Sequence, residues 1–184
     1  MAQSWRVRQE RARKPRPPLD EEGLERLALF YAGRYATTRA KLRAYLSRKI
    51  KERGWGGTAP PPVERLVEKL AELRYVDDRA FAVSRSASLT RRGFGERRVS
   101  EALRAAGIEA DDAEPAREEA RESAWAAALR FAERKRLGPF AQTAPDPAAR
   151  QKAVGAMLRA GHPMDVVRRI VNASPGEIPD SDVV

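Results

Sequence analysis

The sequence predicts an all-α chain of three tandem three-helix units, forming an elongated, curved, right-angled or crescent-like repeat array. Three observations carry this. Helix endings recur as Ile50-x-x-x-Gly54-Trp55, Leu103-x-x-x-Gly107-Ile108 and Met157-x-x-x-Gly161-His162, with glycines 53 and 54 residues apart, the mark of tandem copies of one unit. Each glycine falls where an amphipathic helix would stop, because glycine enters the left-handed C′ conformation without a Cβ clash. Counting back eight residues from each glycine gives Leu46, Val99 and Ala153, on the same helix face as the apolar residue four before it. Elsewhere the apolar period is near 3.6 and no sustained alternating run demands a strand.

The elements follow in order. Residues 1–20 carry Arg6, Arg8, Arg11, Arg13, Lys14 and Arg16 among prolines and read as a basic mobile arm with too little apolar surface to offset its ordering entropy. The first unit, 21–76, opens with a helix from about Glu21 to Ala36 with Leu24, Leu27, Ala28 and Tyr31 on one stripe. A second, from about Thr38 to Arg53, buries Leu42, Tyr45, Leu46 and Ile50. The connector GWGGTAPPP leads to a third with Val63, Leu66, Val67, Leu70 and Leu73 facing inward, its prolines tolerated at the helix entry.

The second unit, 77–121, starts at Asp77 or Asp78, which suit an N-cap, and its first helix reaches about Arg92. After Gly93-Phe94-Gly95 a helix from about Glu96 to Ala106 presents Val99, Ala102, Leu103 and Ala106. From Asp111 to Leu137 local signals allow one long helix, but the repeat register predicts two, meeting near Arg121 to Ser123. The third unit, 122–173, closes with helices from about Pro147 to Ala160 and Pro163 to Ala173, the latter with Val166, Val167, Ile170 and Val171 as its stripe. Residues 174–184 read as a frayed tail. Stacked small helical units make an extended surface rather than a deep pocket.

With no cysteine and one histidine, His162, the chain lacks the residues for thiolate chemistry, Cys-ligated zinc or multi-histidine metal sites. No cofactor is implied, and GWGGTAP lacks the lysine of a phosphate-binding loop. The sequence thus gives an enzyme almost no support. No apolar run approaches the ~20 residues of a membrane span, and the basic N-terminus lacks the apolar segment of an export signal, so a cytoplasmic protein without a membrane partner is expected. Asp77-Asp78 and Asp111-Asp112 precede predicted helices and read as caps rather than metal ligands.

The balance of 36 Lys+Arg against 26 Asp+Glu, a net charge of +10, favours an anionic partner. The candidate residues fall in three clusters. Arg39, Lys41, Arg43, Arg48 and Lys51 lie on the second helix; Arg91, Arg92, Arg97, Arg98 and Arg104 surround the Gly93 turn; Arg130, Arg134 and Lys135 follow. Any one cluster can be only a solvated helix face, but repetition in corresponding places predicts one basic binding face. Trp55, Phe94 and Tyr75 lie beside these positions; the reading favours hydrophobic anchors folded onto the preceding turns, with base stacking as the alternative.

The segments RAKLRAYLSRKIKERGW (39–55), VDDRAFA (76–82), GFGERRVSEAL (93–103) with Gly107-Ile108, and LRAGHPMDVVRRI (158–170) resemble the RecX family of regulatory proteins. The similarity spans roughly Leu24 to Ala173 and is most specific in the middle unit. The third unit reads Ala160-Gly161-His162 where the family usually has an Arg-Gly-Phe-like turn. The resemblance implies a three-unit helical fold that binds the RecA recombinase filament along its groove, with single- or double-stranded DNA as a further contact; a monomer is expected. It also implies restraint of ATP hydrolysis, filament growth and strand exchange, in DNA repair, recombination and the SOS response. A stand-alone DNA-binding module and a non-catalytic helical adaptor are the alternatives.

Overall fold

A computed structural model describes residues 17–181. Among them are nine α-helices and no strand, only an isolated bridge between Leu19 and Trp55. The helices are α1 (Glu21–Arg34), α2 (Arg39–Arg53), α3 (Val63–Glu72), α4 (Asp78–Arg91), α5 (Glu96–Ala105), α6 (Ala110–Glu122), α7 (Ala124–Lys135), α8 (Pro147–Arg159) and α9 (Met164–Asn172), with a 3-10 turn at Gly138–Phe140. They bury three apolar clusters. Leu24, Leu42, Leu46, Val67 and Leu70 fill the first, Ala82, Leu89, Val99, Leu103 and Ala116 the second, and Phe131, Met157, Val167 and Ile170 the third.

Local chemistry sets many of the helix ends. Asp20, Thr38, Asp77 and Asp146 each accept a backbone N–H three residues on, satisfying donors that have no intrahelical partner. The break between α6 and α7 falls at Ser123, whose N–H bonds the Glu119 carbonyl and whose own carbonyl accepts from Ala127. The glycines that end α2, α5 and α8 have φ of +81°, +72° and +94°.

The units meet by one device used twice. Thr38, the N-cap of α2, donates its hydroxyl to the Ala106 carbonyl at the end of α5, 2.7 Å away. Gly95, the N-cap of α5, donates its N–H to the Ala160 carbonyl at the end of α8, 2.9 Å away. In both joints the C-terminal turn of one unit's middle helix abuts the N-terminus of the middle helix before it. Glycine is required there twice over: a Cβ on Gly107 would collide with the Ala40 side chain, and one on Gly161 would lie 2.5 Å from the Arg98 nitrogen.

His162 locks the second joint. Its ring is buried against Phe131, edge to face, and Nε2–H donates to the Gly93 carbonyl at 3.1 Å, while Nδ1 has no partner. The first joint has a second bond, from the Arg39 N–H to Asp78 Oδ1 at 2.9 Å.

Several expectations change. Leu73 is 56% exposed rather than inward, because α3 ends at Glu72 and Arg74 turns left-handed (φ 61°), sending Val76 into the core instead. Asp78 does not cap its own helix; it is buried and serves the first N–H of α2. Asp111 and Asp112 lie inside the first turn of α6, which has no side-chain cap bond, so they complement its dipole rather than cap it.

Residues 1–16 of the basic arm lie outside the described residues. Leu19, placed with the arm by composition, is 1% exposed in the first core, and its N–H bonds the Gly54 carbonyl. Beyond α9, the Gly176 N–H bonds the Pro139 carbonyl, and Arg169 reaches the carbonyls of Asp180 and Ser181.

Leu46, Leu103 and Met157 are each at most 1% exposed, so Leu46→Ala, Leu103→Ala and Met157→Ala should each cost about 2–5 kcal/mol. Urea denaturation checks this, and unchanged midpoints in all three would refute the register. Gly161→Ala should also lower the midpoint, through strain at its positive φ and the clash at the second joint.

Burial holds the His162 pKa below its ordinary value, against the opposing hydrogen bond to the Gly93 carbonyl. The unfolded chain therefore takes up a proton near pH 6.5 that the folded chain resists. The stability present above that pH should fall as pH drops through and below it. The thermal midpoint of wild type should decline between pH 7.5 and 5.5, and His162→Gln should flatten that decline; equal slopes in the two proteins would contradict it.

Candidate partner-binding surface

The most developed surface lies where the first unit meets the second. The first joint brings the start of α2 against the end of α5, and α4 runs alongside. Three adjoining clefts result, of about 560, 500 and 440 Å³. The first and second share Ala36 and Lys41, and the second and third share Ala36, Phe81 and Arg85, so they form one continuous groove.

At one end the Tyr31 and Tyr45 rings stack at 4.1 Å and 12°. Phe30 and Tyr35 beside them are 59% and 50% exposed. Arg48 and Lys49 approach the Tyr45 ring at 5.7 and 5.8 Å and pair with Glu52 at 3.6 and 2.6 Å. In the middle, the Lys41 ammonium stands 4.5 Å from the Phe81 ring centroid, a favourable cation–π distance. Arg85, Arg98, Glu101 and Ala102 line the same cleft. At the far end are Arg74, Tyr75 and Asp77.

The charges here are graded. Lys49, through its hydrogen bond, holds the Glu52 carboxyl below the usual range. Asp77 is lowered first by the Ala80 N–H and then by Arg74. Arg98 pairs with Glu101 at 3.2 Å. Lys41 and Arg85 have no ion-pair partner among the described residues.

The other predicted basic residues divide by environment. Arg43 makes a forked pair with Glu64, at 2.7 Å from both Nε and Nη2, which raises the guanidinium pKa and lowers that of Glu64. Arg39 lies 4.0 Å from Glu68. Both thus hold α3 against α2. Arg97 donates to the Leu158 carbonyl, and Arg134 to the Arg92 carbonyl at 2.5 Å. Arg130 reaches the Thr90 carbonyl at 3.4 Å, and Arg92 lies over Phe94 at 5.2 Å. Arg97, Arg130 and Arg134 knit the second unit to the third, whereas the Arg92–Phe94 contact lies within the second.

Lys51, Arg91, Arg104 and Lys135 are exposed and have no ion-pair partner among the described residues. Of the aromatics, Trp55 and Phe94 are half-buried against the cores, and the Trp55 indole N–H bonds the Ala59 carbonyl at 2.6 Å. Tyr75 is exposed.

Reading the sequence missed Phe30, Tyr35 and Arg85. Phe81 and Arg85 are spaced i, i+4 on α4, so they share a helix face, and this spacing was the available signal. Among the described residues no group of three or more His, Cys, Asp or Glu is placed to hold a metal, and no helix is long and apolar enough to cross a membrane.

No family model matches the chain. Among curated proteins it is 31% identical over 163 residues to "Regulatory protein RecX" of Myxococcus xanthus, covering 83% of this chain and 86% of that one. It is 37% identical over 94 residues to "Regulatory protein RecX" of Mycobacterium sp., covering 50% of this chain and 49% of the relative. The crystal structure of RecX from Lactobacillus salivarius superposes with a TM-score of 0.59 at 18% identity, over 82% of this chain and 93% of that one. A second crystal structure, of a regulatory protein RecX, gives a TM-score of 0.59 at 23% identity, over 82% and 70%. The helical fold thus agrees with known RecX structures, and on the strength of the near full-length similarity the chain belongs to the RecX family of regulatory proteins.

Proposed function

We propose that this chain binds the RecA nucleoprotein filament as a monomer and restrains ATP hydrolysis, filament growth and strand exchange. Family membership carries the reading. The exposed cations Lys41, Lys51, Arg91, Arg104 and Lys135, which no carboxylate neutralises among the described residues, support it physically. A filament groove offers acidic side chains and phosphates, which such cations recognise through charge-assisted hydrogen bonds. Linked helical units spread over several protomers would add avidity without one deep site. The filament-facing set is drawn from the exposed cations, because Arg43, Arg97, Arg130 and Arg134 are engaged in holding the fold together.

Added at less than one copy per recombinase protomer, the protein should slow RecA ATP hydrolysis on single-stranded DNA and delay strand exchange. Lys51→Glu with Arg104→Glu should weaken that inhibition severalfold while leaving the thermal midpoint unchanged. If wild type leaves RecA activity unaltered yet binds naked duplex with a log-log salt slope near 0.9 per contacted phosphate, the protein is a DNA-binding module instead. If it binds neither DNA nor filament, it is an adaptor.

A further inference from the structure

The groove at the first joint combines unpaired cations with exposed aromatic rings. Two cations that line its middle have no carboxylate partner among the described residues: Lys41, 4.5 Å from the Phe81 ring centroid, and Arg85, one turn along α4 from Phe81. Directly alongside, Phe30 and Tyr35 expose half or more of their surface. Every other cation lining the groove has a carboxylate within ion-pair distance: Arg48 and Lys49 share Glu52, Arg98 meets Glu101, and Arg74 meets Asp77.

That distribution selects the ligand. A nucleic-acid strand presents a phosphate at every nucleotide and binds best to a row of free cations with open ring faces for its bases. Here Glu101 and Asp77 line the groove and would face those phosphates. One face of Tyr45 is covered by Tyr31, and two cations crowd the ring. A protein segment needs to offer only one localised anion beside one apolar side chain, and the groove supplies the complement of each.

Resting on the reading that the chain binds the RecA filament, we propose that this groove docks a short extended segment of a recombinase protomer. In that segment an aliphatic or aromatic side chain lies beside an Asp or Glu. The carboxylate pairs with Lys41 and Arg85, and the apolar side chain rests on Phe30 and Tyr35. Recognition is by protein contact and does not depend on the DNA within the filament.

The test uses the full-length chain, fluorescently labelled, titrated with RecA filaments on single-stranded DNA and with the same oligonucleotide alone. Lys41→Glu with Arg85→Glu should weaken filament binding about tenfold or more, as expected when two cations facing a carboxylate are reversed, with an unchanged thermal midpoint. Oligonucleotide binding should be affected no more than by the control reversal Arg150→Glu with Lys152→Glu on α8, which should leave filament binding intact.

Wild-type affinity of the double variant for filaments would overturn this inference while leaving the proposed function standing. Failure of wild type to bind filaments would remove both. Equal losses on filament and naked oligonucleotide would make nucleic acid the occupant and overturn the proposal. A photoreactive benzoylphenylalanine at position 35 gives an independent readout. The proposal expects a cross-link to a recombinase peptide with a carboxylate next to an apolar side chain; a cross-link to DNA, to a peptide lacking a carboxylate, or none despite filament binding would contradict it.

Discussion

The contact between the end of one middle helix and the start of the one before it governs the rest of the molecule. α5 abuts α2, and α8 abuts α5, so the N-terminal donors of one helix face the C-terminal carbonyls of another. Opposed helix ends attract through their partial charges, and each end supplies groups the other leaves unpaired. The two joints are chemically different, a threonine hydroxyl in one and a glycine N–H in the other, yet the accepting carbonyl precedes the turn glycine in both. The 54-residue spacing between Gly107 and Gly161 is therefore the spacing of the two joints as well as of the helix ends.

Backbone approaches backbone this closely only if side chains are absent. Gly107 lies against Ala40, and Gly95 against Gly161, where no Cβ fits. Burial then makes the polar groups at the joints consequential, because a buried donor or acceptor without a partner costs far more than a hydrogen bond gains. Asp78 illustrates this. Desolvation raises its pKa, the Arg39 N–H opposes the rise, and the carboxylate is tolerated because it meets an otherwise orphaned helix-terminal donor.

Surface charge is organised around the same joints. The excess of basic residues would suggest one broad cationic face, but Arg43, Arg97, Arg130 and Arg134 hold helices or units together. Arginine suits that work because its planar fork meets a carboxylate in two bonds, as in the pair with Glu64, or reaches a carbonyl across a junction. What remains for a partner is a smaller set of uncompensated cations, and the first joint places two of them beside exposed aromatic rings.

The helical class, the repeat and most helix ends were legible in the sequence because they depend on neighbours a few residues away. Turn glycines, capping aspartates and a 3.6-residue apolar stripe act locally, and Leu46, Leu103 and Met157 could be placed in the core from spacing alone. The resemblance to RecX proteins rested on the same local segments. Tertiary structure decided what depends on residues far apart in the chain. It turned Leu73 outward when Arg74 reversed the chain, drew Leu19 into the first core, and gave Asp78 to a helix thirty-nine residues upstream. It also chose which arginines meet acids and which cations stay free, because pairing depends on distances across helix contacts that one-dimensional spacing does not contain.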